Sequence, residues 1–277
     1  MRNGQGLFDI PHSSFDIPHS SGLTPAGHKE IEVQAVVVDR NPALDRVIEP
    51  VRIRAETYAQ LVRELVGENA KALSLFGPVV GGPFDANRHS AASVLVVDRV
   101  ELSTLRRLAD HGAKLGKLGL AAPLIMTPPY IRSSLDTFPL ELIEIQQRHA
   151  TLFGEDDFAE LIFEGAHVRL QCERELKRAL IALRQGLLAT AGRERLVPAL
   201  EHDAAEGLLR TLRGLLWLKG KKEFKPDDEV VTETETLLQR RVPGLRKALD
   251  RSAQPGWGDF DELYREVEAL METADAW

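Results

Sequence analysis

The stretch from Ala70 to Val97 constrains the fold of this 277-residue chain more than any other. Ala70–Phe76 is a short apolar run. Residues 77–90 hold Gly77, Pro78, Gly81, Gly82 and Pro83, and Ser93–Val97 is almost continuously apolar and β-branched. Such a run, bounded by turn residues, reads as a strand covered on both faces, so a central sheet flanked by helices is expected. The surroundings agree. Tyr58, Leu61, Val62 and Leu65 recur at helical spacing in Ala55–Val66, and Gly67 closes that helix. Ser103 is placed to cap a helix running to about Gly119, with Leu105, Leu108, Leu115 and Leu118 as its buried stripe. Pro123–Met126 fits a short strand, Thr127-Pro128-Pro129 an N-cap with proline in the first turn of a helix through Leu135, and Leu140–Ile145 a further strand. Upstream, Ile31–Val38 reads as a strand with Val47–Ile53 as its hairpin partner.

Beyond Glu155 the character changes. Leu176, Leu180, Leu183 and Leu187 recur at helical spacing, and no later segment alternates with period two. Further helices are expected over Ala204–Leu218, over Val230–Leu249 with a break at Pro243, and over Phe260–Met271, where Asp259 and Glu262 form a capping pair. The expected organisation is a tail over residues 1–28, a mixed α/β domain over 29–154 and a helical domain over 155–277. The tail carries a direct repeat, Phe8–Ser14 followed by Phe15–Ser21, too short for a solenoid and rich in Pro and Ser.

A formal net charge of −7 argues against general attraction to nucleic acid phosphate. One cysteine, Cys172, excludes an intramolecular disulfide or a multi-cysteine zinc site and reads as a buried free thiol. No apolar run approaches the roughly 20 residues that span a bilayer. The amino terminus also lacks a basic-then-apolar leader, so a cytoplasmic protein without membrane contact is expected.

The spacing resembles the active-site region of the minimal, DNA polymerase β-like nucleotidyltransferases that carry a helical carboxy-terminal domain. That superfamily has an apolar-Gly-Ser turn, a loop of about a dozen residues and a Ser-Asp-apolar-Asp strand whose aspartates hold magnesium. Here Phe76-Gly77-Pro78 is followed by twelve residues and then by Ala91-Ala92-Ser93, with Asp85 and Ser90 inside the loop. Leu152-Phe153-Gly154-Glu155 is similar to a Leu-Tyr-Gly-Glu segment of the family. The resemblance implies an α+β fold, a nucleotidyltransferase-like mixed sheet with flanking helices followed by an α-helical bundle. It places Ser90 at the family's Ser, Ala91 and Ser93 at its paired carboxylates, and Pro78 at its phosphate-contacting Ser. It also makes Gly77, Pro78, Gly81, Gly82, Ser90 and Ser93 the candidate nucleotide-binding residues, and Glu141 or Glu144 the third-strand carboxylate.

Nucleotidyl transfer uses two cations about 3.5 to 4 Å apart. Anionic oxygen ligands offset their repulsion, and magnesium demands hard oxygen donors. Ala91 offers no ligand and Ser93 only a neutral hydroxyl. The first expectation is therefore a catalytically degenerate binding or regulatory module, with no resident metal or cofactor. The alternative is a divergent enzyme that transfers a nucleoside monophosphate from a magnesium-bound triphosphate to a hydroxyl, with Glu141 or Glu144 as its surviving acid and Asp85 and Asp98 as further recruits. Gly77, Gly81 and Gly82 permit close backbone approach to a phosphate, although Pro78 removes one donor. The loop is also readable as a plain connection between two strands, and that reading is slightly favoured.

Two other patterns stand outside this region. Arg195 and His202 match the loose Arg-x-His spacing of helical ribonucleases, but Pro198 between them argues for ordinary surface residues. Lys219, Lys221, Lys222 and Lys225 follow a leucine-rich helix and complement its dipole. Leu208–Leu218 is a candidate interface, so a protein partner or self-association through the helical half is expected. A buried core helix is the simpler account.

Overall fold

The computed structural model describes residues 42–82, 84–86 and 90–275, so the tail, its repeat and the Ile31–Val38 strand lie outside the described residues. Helix α1 (Glu49–Val66) opens with Pro50 in its first turn and buries Val51, Ala55, Tyr58, Leu61, Val62 and Val66. This corrects the hairpin expected over Val47–Ile53. Proline has no N–H to lose at a helix start, and Val51, Ala55, Tyr58 and Val62 already follow helical spacing. Val47 alone keeps a sheet contact, an antiparallel bridge to Val80.

Four strands form the sheet: β1 (Ala70–Phe76), β2 (Ala92–Val97), β3 (Leu124–Met126) and β4 (His149–Phe153), in the spatial order β3-β2-β1-β4. β1 and β2 are antiparallel, with Leu73 opposite Leu95 and Leu75 opposite Ser93. β2 and β3 run parallel, which requires the crossover supplied by α2 (Leu102–Asp110) and α3 (Gly112–Lys117). The sequence pattern suggests one helix there. It is broken at His111, whose backbone leaves the helical region and whose ring bonds the Arg107 carbonyl at 2.9 Å.

Leu73, Leu75, Ala91, Leu95 and Val97 share one core with Tyr58 and Val62 of α1. The chain after β4 turns at Gly154 (φ +84°), where a Cβ would stand 2.0 Å from the Lys71 carbonyl oxygen, so glycine is required there.

Leu140–Ile145 is not a strand. The segment forms α5 (Pro139–Gln147), after α4 (Pro128–Ser133), whose Thr127 hydroxyl accepts the Tyr130 N–H at 3.3 Å. α5 buries Leu140, Glu141, Leu142, Ile143 and Ile145, so it is covered nearly all round, and a helix of that kind carries no apolar stripe to separate it from a strand. The place beside β1 belongs to β4 instead.

The described chain divides into two compact units. One comprises the residues up to Met126 together with Ala150–Glu155, and the other comprises Thr127–His149 and everything from Asp156 onward. Residues 127–149, expected in the α/β domain, therefore fall with the helices. In the second unit α6 (Gly165–Ala189), α7 (Val197–Leu218), α8 (Asp227–Leu238), α9 (Pro243–Leu249) and α10 (Trp257–Asp275) follow in order. The expected long helix stops at Leu238, where Gln239 takes a left-handed conformation (φ +51°), and Pro243 opens α9 as Pro198 stands in the first turn of α7. Gly214 lets α7 lie close against α5 and α6, since a Cβ there would meet Leu140 at 2.3 Å and the Cys172 sulfur at 2.8 Å. Cys172 is a buried free thiol, pushed up to about 12 by burial. Among the described residues no helix is long and apolar enough to cross a membrane.

Candidate nucleotide site

The glycine turn has the geometry its composition suggests. Gly77 is buried with φ +78° and opens a single 3-10 turn, Gly77–Val79, in which the Val80 N–H donates to the Gly77 carbonyl at 2.9 Å. Pro78 is exposed, Gly81 is exposed with φ +71°, Gly82 is half-buried, and Asp85 and Ser90 are exposed. A Cβ at Gly77 or Gly81 would meet open space, so backbone conformation rather than crowding selects glycine at these turns.

The pleat of β2 decides the rest. Successive side chains alternate between faces, and Ala91, Leu95 and Val97 lie in the α1 core. Ser93 shares their side: its hydroxyl bonds the Tyr58 hydroxyl at 2.7 Å, and both residues have 0% exposure. Burial pushes Tyr58 up to about 12, against the opposing effect of the Ser93 bond, so the phenol stays protonated at any physiological pH. Ser93 therefore anchors α1 to the sheet and presents no surface to a nucleotide. Ala91 is held by its backbone, donating to Gly119 at 2.7 Å and accepting from Ala121 at 2.9 Å. The alternate side chains of the strand are Ala92, Val94 and Val96. No residue from Ser90 to Val97 is acidic, so neither face of β2 carries a carboxylate whichever register is chosen.

The candidate recruits each have partners of their own. Asp98 follows β2 and pairs with Lys71 at 3.0 Å. Glu141 and Glu144 lie on α5 in the helical unit. Glu141 is 6% exposed, accepts the Gln171 amide at 2.7 Å and stands 3.8 Å from Arg210. Glu144 takes the Arg210 Nε–H at 2.7 Å. Burial pulls the Glu144 carboxyl upward, but Arg210, with Arg213 and Arg148, outweighs it and holds the group below the usual carboxylate range. Both acids thus have cationic or amide partners inside the helical unit. Among the described residues no three His, Cys, Asp or Glu side chains are grouped to hold a metal.

Arg195 and His202 are on different elements. Arg195 is exposed in the turn before α7, while the His202 ring meets the Ala248 carbonyl at 2.9 Å and lies 3.1 Å from Glu206. Of the lysine cluster, Lys221 pairs with Glu233 of α8 and Lys225 lies 3.3 Å from the same carboxylate, whereas Lys222 lies over the Trp217 ring. Leu208, Leu209, Leu212, Leu215 and Leu216 are buried in the helical core.

Sequence reasoning misses Tyr58, Arg210 and Gln171. Tyr58 is visible as a stripe residue, but its bond to Ser93 spans 35 positions. The pairing of Arg210 with Glu144 spans 66. No local pattern links such partners.

No protein-family model and no curated protein matches the chain. Among solved structures, the spectinomycin adenyltransferase AAD(9) from Enterococcus faecialis, in its complex with ATP and spectinomycin, matches with a TM-score of 0.50. The match covers 80% of this chain and 99% of that one, at 12% identity. The chain has a nucleotidyltransferase-like fold. At that identity the likeness speaks for architecture, a mixed sheet with flanking helices and a helical carboxy-terminal region, and not for chemistry.

Proposed function

We propose that this protein is a nucleotidyltransferase-fold binding or regulatory module without metal-dependent transfer activity. The observation that carries the reading is strand β2, which has no acidic side chain on either face, and whose Ala91 and Ser93 side is packed under Tyr58. Two closely spaced divalent cations need bridging anionic oxygens. The strand supplies none, and Glu141 and Glu144 are engaged by Gln171 and Arg210. The solved neighbour is named an adenyltransferase and was captured with ATP and spectinomycin. In this chain the glycine turn at Gly77–Gly82, with the exposed Pro78 and Ser90, is the remaining feature suited to a nucleotide phosphate. The resulting role is recognition rather than turnover, in a cytoplasmic protein that acts through a protein partner.

The deciding experiment is calorimetric titration with ATP, GTP, CTP and UTP, each with and without magnesium, alongside a transfer assay using α-labelled triphosphates. Binding that is absent, or weak and indifferent to magnesium, is expected. Magnesium-dependent binding with label transferred to an acceptor would overturn the proposal in favour of a divergent transferase.

A further inference from the structure

Among the described residues, Glu201 is the carboxylic acid whose two oxygens are both buried and without a hydrogen-bond partner. Other buried acids of the helical unit are provided for. Glu235 takes the Val242 N–H and the Arg246 guanidinium, and Glu266 takes the Gly244 and Leu245 N–H groups at the start of α9. The charges that act on Glu201 come one from each of two helices, Lys247 of α9 and Asp259 of α10. α6 meets this end of α7 through Gly186 and Leu200, which are uncharged. Lys247 is already engaged: its ammonium donates to Asp259 Oδ1 at 2.6 Å, while Asp259 Oδ2 accepts the Gly256 N–H at 2.8 Å and closes the turn that starts α10. A bare carboxylate at 0% exposure would have neither water nor a donor, so Glu201 carries a proton in this arrangement.

We propose that Glu201, Lys247 and Asp259 form a proton-operated latch between α7, α9 and the start of α10. With Glu201 protonated, Lys247 holds Asp259 and ties α9 to α10. When Glu201 gives its proton to solvent it becomes a buried charge, and among the described residues Lys247 is the one cation acting on it. Lys247 then leaves Asp259 for Glu201, and the tie opens. Burial and Asp259 push Glu201 up to about 7, with Lys247 opposing them, so the latch is closed below that value and opens as pH rises through it. The adjoining residue, His202, is titratable too. Its ring meets the Ala248 carbonyl of α9 at 2.9 Å and lies 3.1 Å from Glu206, which is itself paired with Arg251. At the other end of the latch Glu194 accepts the Trp257 N–H at 3.1 Å.

The test uses the full chain with Trp257, the first residue of α10, as reporter, in the background W217F/W277F so that its emission is read alone. Native emission, followed from about pH 5.5 to about pH 8.5, is expected to change in one step centred near 7. Two variants should abolish the step from opposite ends. E201Q cannot ionise and should hold the emission of the acid form at every pH, whereas K247M has no tie to open and should hold that of the alkaline form. H202Q should keep the step. Circular dichroism at both ends of the range establishes that each variant is folded. The proposal fails if the parent shows no step, if E201Q or K247M retains it, if both variants hold the same end state, or if H202Q abolishes it.

Discussion

Glu201 offers the sharpest test of the physical reasoning. It lies on α7 with 0% exposure, and neither carboxylate oxygen has a hydrogen-bond partner. Burial pushes it up to about 7 from an ordinary 4.5, Asp259 adds to the effect, and Lys247 opposes it. The folded protein therefore keeps a proton that the unfolded chain releases. Stability from this group is complete below about pH 4.5 and is lost as pH rises through 7. The interval between the two values corresponds to about 3 kcal/mol as an upper bound. E201Q keeps the shape and removes the charge. Relative to the parent it should be close to neutral at pH 4.5 and more stable by up to about 3 kcal/mol at pH 8. Trp217 and Trp257 belong to the helical unit, so urea unfolding followed by tryptophan fluorescence reads that unit. The decisive quantity is the difference in midpoint between parent and variant at the two pH values. A difference that is the same at pH 4.5 and pH 8 would refute the assignment of a neutral buried Glu201.

Four further outcomes follow from the contacts described. Tyr58→Phe leaves the Ser93 hydroxyl buried without its partner and should cost about 1–2 kcal/mol, read by chemical denaturation. Gly154→Ala forces a Cβ onto the Lys71 carbonyl in a left-handed conformation, and a loss of roughly 2–4 kcal/mol, or failure to accumulate folded protein, is expected on thermal melting. Arg210→Ala strands Glu144, whose low carboxyl pKa stabilises the fold above about pH 4.5 and ceases to do so as pH falls. The variant should lose about 2–3 kcal/mol at pH 7 and much less at pH 4, measured by urea unfolding at both values. Installing aspartates at Ala91 and Ser93 together should destabilise the α1 core by several kcal/mol and give no magnesium-dependent rise in melting temperature, because that face is packed under Tyr58. A metal-dependent rise would mean that the face is open.

The sequence was sufficient for features governed by local rules. The strands β1 and β2 were legible from apolar runs between glycine turns, the part of α1 from Ala55 onward from its stripe, the start of α4 from Thr127-Pro128-Pro129, and a break near Pro243, which opens α9. The lack of acids from Ser90 to Val97 is a property of the sequence alone and no folding can alter it. What the sequence could not convey was facing and partnership. Leu140–Ile145 alternates well enough for a strand, yet α5 is buried nearly all round and leaves no stripe to betray a helix. Alignment by spacing put Ala91 and Ser93 at the carboxylate positions, whereas the pleat turned them toward Tyr58. Glu141 and Glu144 looked like free acids until α7 brought Arg210 to them across more than sixty residues. Local geometry is set by each residue's own backbone and its near neighbours. Burial, ionisation and pairing are set by groups distant in sequence, and only the packed tertiary structure decides them.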